Sequence, residues 1–258
     1  MSEILSDDIE DIAVGAGTLV LENGGETYRA EDTIVEIAKA LGANNPSAFV
    51  TPTVVMFSYV DNEGKHHSFM RRIFKRGTNL SRIAQINSLT RKLIAEGTTS
   101  DPGEVRNLLH RIEKSAEYSK PLIVIMAALS SAFFTLMFAG SYKDAMCSFI
   151  LGGVLRIILL LLNKTPIGTD NFMLSILSGA FLSVGADFMQ LWSFSNDANL
   201  VLVGSIMQMV PGLALTNGIR DIIHGDLVSG GARLLDALVI ALGLSVGSVT
   251  GVLVTRIL

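Results

Sequence analysis

The chain of 258 residues contains a single cysteine, a single tryptophan and only 7% aromatic residues. A lone Cys147 excludes an intrachain disulfide, and its place in an apolar stretch reads as a small buried hydrophobe. No Gly-x-Ser-x-Gly elbow occurs, and no glycine-rich phosphate loop. The second absence removes ATP as a direct energy source for this chain. The four histidines make no evident metal site. His66 and His67 are neighbours, which point to opposite faces of a strand, and His110 and His224 have no obvious partners. The chain is therefore read as not an enzyme, with no cofactor and no metal. A signal peptide is also missing: residues 1–11 are acidic where a basic region should stand, and no apolar core follows. The front of the chain is expected to stay in the cytosol.

Charge is scarce in the back half. Residues 121–258 carry 6 Lys/Arg and 7 Asp/Glu, against 14 and 17 in residues 1–120. The net charge of −4 averages these unlike halves. What fills the back half is apolar sequence long enough to cross a bilayer, which takes about 20 residues per helix. Five stretches qualify, at 121–140, 145–163, 171–191, 199–217 and 229–255. The expected architecture is an α-helical polytopic membrane protein with about five transmembrane helices. It comprises a cytosolic α+β domain over 1–120 and a transmembrane domain over 121–258.

Basic residues near the helix ends set the orientation. Arg111, Lys114 and Lys120 precede the first stretch, Lys164 and Arg220 fall in the second and fourth connections, and the connection around Trp192 has no Lys or Arg. The amino terminus is then cytoplasmic, and an odd helix count puts the two ends on opposite sides of the membrane. The compartment expected is the inner (plasma) membrane.

The fourth stretch is broken at Pro211-Gly212. Proline lacks the amide donor and disfavours helix at Val210, and Gly212 can take the angles a break requires. Freed backbone groups at membrane depth persist only against protein or a wet cavity. Two readings stand: a proline kink repaired by its neighbours, or a site in which carbonyls and amides hold a small polar solute. The polar run Thr216, Asn217, Arg220 and Asp221 follows directly, with Asp226 after it. Arg156 and Asp187 lie inside the second and third stretches, and Arg233 and Asp236 stand three apart near the start of the fifth. Intramembrane charges are costly and point to function or to structural ion pairs. Ser175, Gly179 and Ser183 recur every four residues, as do Gly243, Gly247 and Gly251, so each set forms one close-packing stripe.

The front half reads as a helix over 5–22 ended by Gly24-Gly25, followed by a second with Ile34, Ile37, Ala38 and Leu41 inward and Gly42 at its C-terminal cap. Residues 48–60 are rich in strand formers, and Asp61-Asn-Glu-Gly64 turns into a strand over 66–74. Helices fit 79–96 and 102–118, the latter opening on Asp101-Pro102 with Glu104 behind. Between Gly64 and Lys92 there are eight Lys/Arg and no acid, while residues 1–36 hold ten acids and only Arg29. The aromatic and glycine signatures of RNA modules are missing, so no nucleic acid is expected. Anionic membrane lipid and the acidic helices are the two partners open to this segment.

Residues 209–247 contain Pro211-Gly212, Asn217-Gly-Ile-Arg220-Asp221, Gly225-Asp226 and Ser229-Gly-Gly-Ala-Arg233 in that order. The front half carries Leu21-Glu-Asn-Gly-Gly25 with Arg29 and Glu31-Asp-Thr33, then Phe49-Val-Thr-Pro-Thr53. Together these strings resemble the threonine/serine exporter family in its long-subunit form, over nearly the whole chain. The resemblance implies export of threonine and serine driven by protons, or of dicarboxylates such as succinate, as in some relatives. It also implies a companion: a second small membrane subunit or, failing that, a homo-oligomer, since five helices would form half of an inverted repeat. Pro211, Gly212, Thr216, Asn217, Arg220, Arg156 and Arg233 are then the candidate substrate-binding residues. Asp187, Asp221, Asp226 and Asp236 are the candidates for proton coupling, since partial burial can raise a carboxyl into the working pH range. A dicarboxylate would favour Arg156, Arg220 and Arg233, because guanidinium groups bind carboxylates in a bidentate manner. A membrane-anchored scaffold with a working cytosolic domain is the rival from another class.

Overall fold

The computed structural model describes residues 6–75, 77–96, 101–115, 118–162, 165 and 170–257. It divides into two compact units, one of residues 1–116 and 213–235, the other of residues 117–212 and 236–258. The start of the fifth apolar stretch and the polar run after Pro211 thus belong to the same unit as the front half.

The first unit begins with helices α1 (Ser6–Glu22) and α2 (Thr27–Ala40). Leu5, expected in the first helix, lies outside the described residues. The helix α1 closes at Gly24, whose left-handed backbone (φ 90°) lets Gly24 and Gly25 donate back to the carbonyls of Leu21 and Val20. Gly42 plays the same part after α2 with φ 95°. Strands β1 (Asn44–Thr51), β2 (Val54–Val60) and β3 (His66–Arg72) form an antiparallel sheet in that order. The strand-rich stretch 48–60 is therefore divided by a turn at Pro52 and Thr53. Proline has no ladder donor to give, and the Thr51 hydroxyl accepts from the Val54 amide across the turn. The Asp61–Gly64 turn forms as expected: the Asp61 carboxylate accepts the amides of Glu63 and Lys65, and Gly64 has φ 82°.

Helices α3 (Leu80–Glu96) and α4 (Pro102–Glu113) follow, and Asp101 caps α4 through the amides of Gly103 and Glu104. The core joins Ile12, Ala16 and Val20 of α1, Ile34 and Ile37 of α2, Val55, Phe57 and Tyr59 of β2, and Ile86, Leu93 and Leu109 of α3 and α4. Gly17 of α1 admits the Ile34 side chain, which a Cβ there would meet at 2.3 Å. Arg71 of the basic segment pairs with Asp11 of α1 at 3.6 Å.

The second unit holds α5 (Lys120–Met137), α6 (Tyr142–Leu162), α7 (Asn171–Leu191), α8 (Ala198–Ile206) and the latter part of α10 (Leu227–Ile257). Four helices among the described residues, α5, α6, α7 and α10, are long and apolar enough to cross a membrane. Among the described residues no single membrane-length helix fills the fourth expected stretch (199–217), the one read as broken at Pro211-Gly212. Its place is taken by α8, nine residues long, and by α9 (Gly212–Ile223), which from Leu213 on belongs to the first unit. At 1.5 Å per residue α8 reaches only about 13 Å, less than half a bilayer core.

Proline rather than glycine makes this break. Gly212 is not among the left-handed glycines, and a Cβ added to it would meet nothing within 4 Å. The second connection, including Lys164, lies outside the described residues apart from Thr165 and Asp170, whose carboxylate caps α7.

The two small-residue stripes face each other within this unit. A Cβ on Gly247 would lie 2.0 Å from the Ile176 carbonyl oxygen, and one on Gly179 would lie 2.4 Å from that of Leu244. A Cβ on Gly243 would lie 2.9 Å from that of Ser175, and one on Gly251 would lie 2.8 Å from that of Ser183. With no hydrophobic drive between helices in lipid, such backbone proximity is what gives them van der Waals contact.

Candidate functional site

The polar run that follows Pro211 folds onto the turn between α1 and α2. The Asn217 side-chain amide donates to the Gly24 carbonyl at 2.9 Å. Arg220 donates to Glu26 at 2.6 Å. The carboxylate of Asp221 accepts both the backbone amide of Thr27 (3.2 Å) and its hydroxyl (2.9 Å). Arg233, from the first turns of α10, donates to the Gly25 carbonyl at 2.8 Å and pairs with Asp221 at 3.0 Å. The ring of Tyr28 stacks on His224 with centroids 4.2 Å apart. Four consecutive residues of the turn, 24–27, thus each meet a residue of α9 or α10.

Local sequence explains why the run can reach so far. The left-handed Gly24 turns the carbonyls of the α1 end outward, and α2 starts at Thr27 with an unsatisfied amide that a carboxylate suits. Helices α9 and α10 form a tight hairpin because Gly218 and Gly230 cross closely: a Cβ on Gly230 would sit 2.6 Å from the Gly218 carbonyl. Asp221 is fully buried and the side chain of Arg233 is only 13% exposed, so this is a desolvated ion pair, supported by the hydrogen bonds of Asp221 to Thr27 and of Arg233 to the Gly25 carbonyl.

At the sheet edge, Glu31 accepts the Val50 amide (2.8 Å) and Ser229 donates to the Val50 carbonyl (3.2 Å). Burial pushes Glu31 up, helped by the nearby carboxylates of Asp226, Asp32 and Asp221. Asp226 is also raised, by burial first and by Asp221 as well, against the opposing pull of Ser229 and Arg233. Glu26 goes the other way: burial would raise it, but its backbone hydrogen bond and Arg220 outweigh that and hold it below the usual range.

The remaining candidates lie elsewhere. Thr216 is exposed and donates to the Leu213 carbonyl, while Pro211 and Gly212 stand at the head of α9. Asp187, in the second unit, accepts the Thr255 hydroxyl at 2.5 Å. Asp236 is the first residue of the α10 segment assigned to that unit. Arg156 sits in α6, where its Nε is buried without a hydrogen-bond partner among the described residues.

Sequence reading missed Asp144, almost fully buried at the start of α6. Its carboxylate accepts the amide and hydroxyl of Ser141 and the amides of Asn196 and Asp197. Ser141-x-x-Asp144 has the spacing of a helix-capping pair, which was the available signal. Gln208 was missed as well; a single amide in an apolar run gives no periodic signal. Among the described residues no cluster of His, Cys, Asp and Glu could hold a metal ion.

A profile of the family described as "Putative threonine/serine exporter" matches residues 11–255. The chain is 23% identical over 239 residues to the protein named probable succinate transporter subunit YjjP of Escherichia coli, covering 92% of this chain and 91% of that one. It is 23% identical to a probable threonine/serine exporter of Mycobacterium tuberculosis, over 92% of this chain but 44% of that protein. The threonine/serine exporter of Corynebacterium glutamicum is 20% identical, over 97% of this chain and 52% of its own length. No solved structure matches. With nearly its whole length inside that profile, from the α1–α2 turn to the paired small-residue stripes, the chain belongs to the threonine/serine exporter family.

Proposed function

We propose that the chain is a subunit of a secondary transporter that exports threonine or serine across the inner (plasma) membrane, coupled to protons. Its amino terminus is cytoplasmic, and it works with a second small membrane subunit. The observation that carries this reading is the interruption at 207–211 among apolar helices in a member of an exporter family. Short α8 packs within a bundle of membrane-length helices, and unwound backbone at such a place is the usual seat of a small polar solute.

Two features favour a companion. A relative matched along 91% of its length is named a transporter subunit. The two exporters named above are about twice as long as the stretch this chain matches. The same subunit name supports the second reading, a dicarboxylate exporter, in which Arg156 receives one of the carboxylates. Cells loaded with labelled threonine and labelled succinate test both. Efflux of threonine is expected only with the companion present, while efflux of succinate alone decides for the second reading. Absence of both in the complete assembly sinks the transport function.

Of the substrate-binding candidates, Arg156, Pro211 and Gly212 remain proposed parts of the solute path. Thr216, Asn217, Arg220 and Arg233 remain proposed substrate-binding residues, of which the last three already hold protein partners within the first unit. Asp187, Asp221, Asp226 and Asp236 remain the proposed proton carriers. Asparagine at the working one abolishes the response of efflux to the proton gradient. Four variants that all keep that response would remove these carboxylates from the coupling mechanism.

A further inference from the structure

Apolar bundles rarely leave polar atoms unpaired, since a buried group that has lost its water and found no partner is destabilising. The second unit leaves several in one neighbourhood. Gln208, in the unwound segment after α8, donates through Nε2 to the Ser131 hydroxyl of α5 (3.3 Å), the Gly152 carbonyl of α6 (3.2 Å) and the Ser205 carbonyl (3.4 Å). Two of these three acceptors are carbonyls, so the amide cannot be turned round without setting oxygen against oxygen. Its Oε1 is therefore fixed on the other side, where it is buried and has no donor among the described residues. The Ser205 hydroxyl beside it is likewise buried and unpartnered.

Arg156 follows Gly152 by one helical turn, so the two lie on the same face of α6. Long helical side chains lean toward the amino-terminal turn, which directs the guanidinium stem back toward Gly152 and Gln208. Its Nε is buried, and its side chain has no ion pair or hydrogen bond among the described residues. Gly152 itself permits the cluster: a Cβ there would lie 2.1 Å from the Ser131 hydroxyl oxygen and 3.1 Å from Gln208 Nε2.

A cation and a fixed acceptor that both lack partners among the described residues ask for a ligand that brings an anion and a hydrogen-bond donor together. We infer that Arg156, Gln208 and Ser205 form a solute seat for a small monocarboxylate bearing an ammonium or hydroxyl group. The carboxylate meets Arg156, and the donor meets Gln208 Oε1. An ionised dicarboxylate satisfies Arg156 but has no donor for Gln208. This inference rests on the transport reading and gives Gln208 the role of selecting the substrate class.

The test is direct binding of threonine and succinate to the purified full chain with its companion in lipid nanodiscs, alongside efflux from cells. Wild type is expected to bind threonine more tightly than succinate. Arg156→Gln weakens threonine binding by roughly ten- to a hundred-fold, as loss of a charged hydrogen bond does. Gln208→Leu weakens threonine binding by about ten-fold and leaves succinate unchanged, which narrows the discrimination. Gly152→Ala, which crowds Ser131 and Gln208, weakens threonine binding without removing either ligand group. Thermal unfolding of each variant separates loss of binding from loss of fold. A variant that does not fold is replaced by Arg156→Lys or Gln208→Asn, expected to show the same loss to a smaller degree. Threonine binding equal to wild type in folded variants at both Arg156 and Gln208 overturns the seat, even if efflux continues. So does succinate bound as tightly as threonine by wild type. Efflux lost with wild-type binding intact would instead count against the transport reading and leave the seat standing.

Discussion

Asp221→Ala is expected to be the most damaging single substitution in the first unit. It removes a fully buried carboxylate that pairs with Arg233 and accepts both the amide and the hydroxyl of Thr27. Arg233 would be left as a buried cation with its carboxylate gone, and breaking a buried pair from one side costs about 3–5 kcal/mol. Because Arg233 also holds the Gly25 carbonyl, the α1–α2 turn loosens together with α9 and the start of α10. Urea unfolding and limited proteolysis of the full chain in detergent measure this. The expected result is a lower midpoint and early cleavage near residues 23–27 and 212–226. Asp221→Asn keeps an acceptor for Thr27 and should cost less. Replacing Asp221 and Arg233 together by leucine and methionine should recover part of the loss, since an apolar pair leaves no charge stranded. A stability within about 0.5 kcal/mol of wild type for Asp221→Ala, the range of an ordinary surface substitution, would show that this pair does not hold the turn.

Gly247→Leu is expected to break the packing of α7 against α10. The first added carbon would already lie 2.0 Å from the Ile176 carbonyl oxygen and 3.0 Å from the Ala180 amide nitrogen. Those atoms are backbone, so a rotamer change cannot relieve the clash and the helices must separate. Overpacking of this kind costs about 1–3 kcal/mol, and more where backbone has to move. A matched control lies in the same helix: a Cβ on Gly231 would meet nothing within 4 Å. Gly231→Ala should be neutral or stabilise by up to about 1 kcal/mol through helix propensity. Thermal unfolding in lipid nanodiscs should therefore separate the two substitutions by several degrees. Equal unfolding temperatures would mean that the stripes are not in close contact in the bilayer.

Several features of the fold were legible because they are decided within a few residues. The ends of α1 and α2 at Gly24 and Gly42, the cap at Asp101 and the turn at Asp61–Gly64 follow from local hydrogen bonds and backbone freedom. The membrane-length helices were legible from composition. The fourth of the five stretches was legible as broken at Pro211, where proline cannot continue the hydrogen-bond ladder, but hydropathy running on through 199–217 gave no sign that α8 is only nine residues long or that residues from Leu213 on belong to the first unit. The stripes at Ser175–Ser183 and Gly243–Gly251 were legible as packing faces, but not as partners of one another. Four-residue spacing states what a face is like and is silent on what it meets.

The same limit governs the polar run. By itself the sequence determined the family, the apolar character of the back half, the break at Pro211 and the residues capable of binding an ion. Tertiary structure alone decided that Asn217, Arg220, Asp221 and Arg233 close on residues 24–27, between 193 and 208 positions away along the chain. It also decided that Arg156 and Gln208 keep buried valences without partners among the described residues. Whether a charged group is spent or available depends on which other groups reach it. That is fixed by helix packing between distant segments, where one-dimensional spacing carries no information.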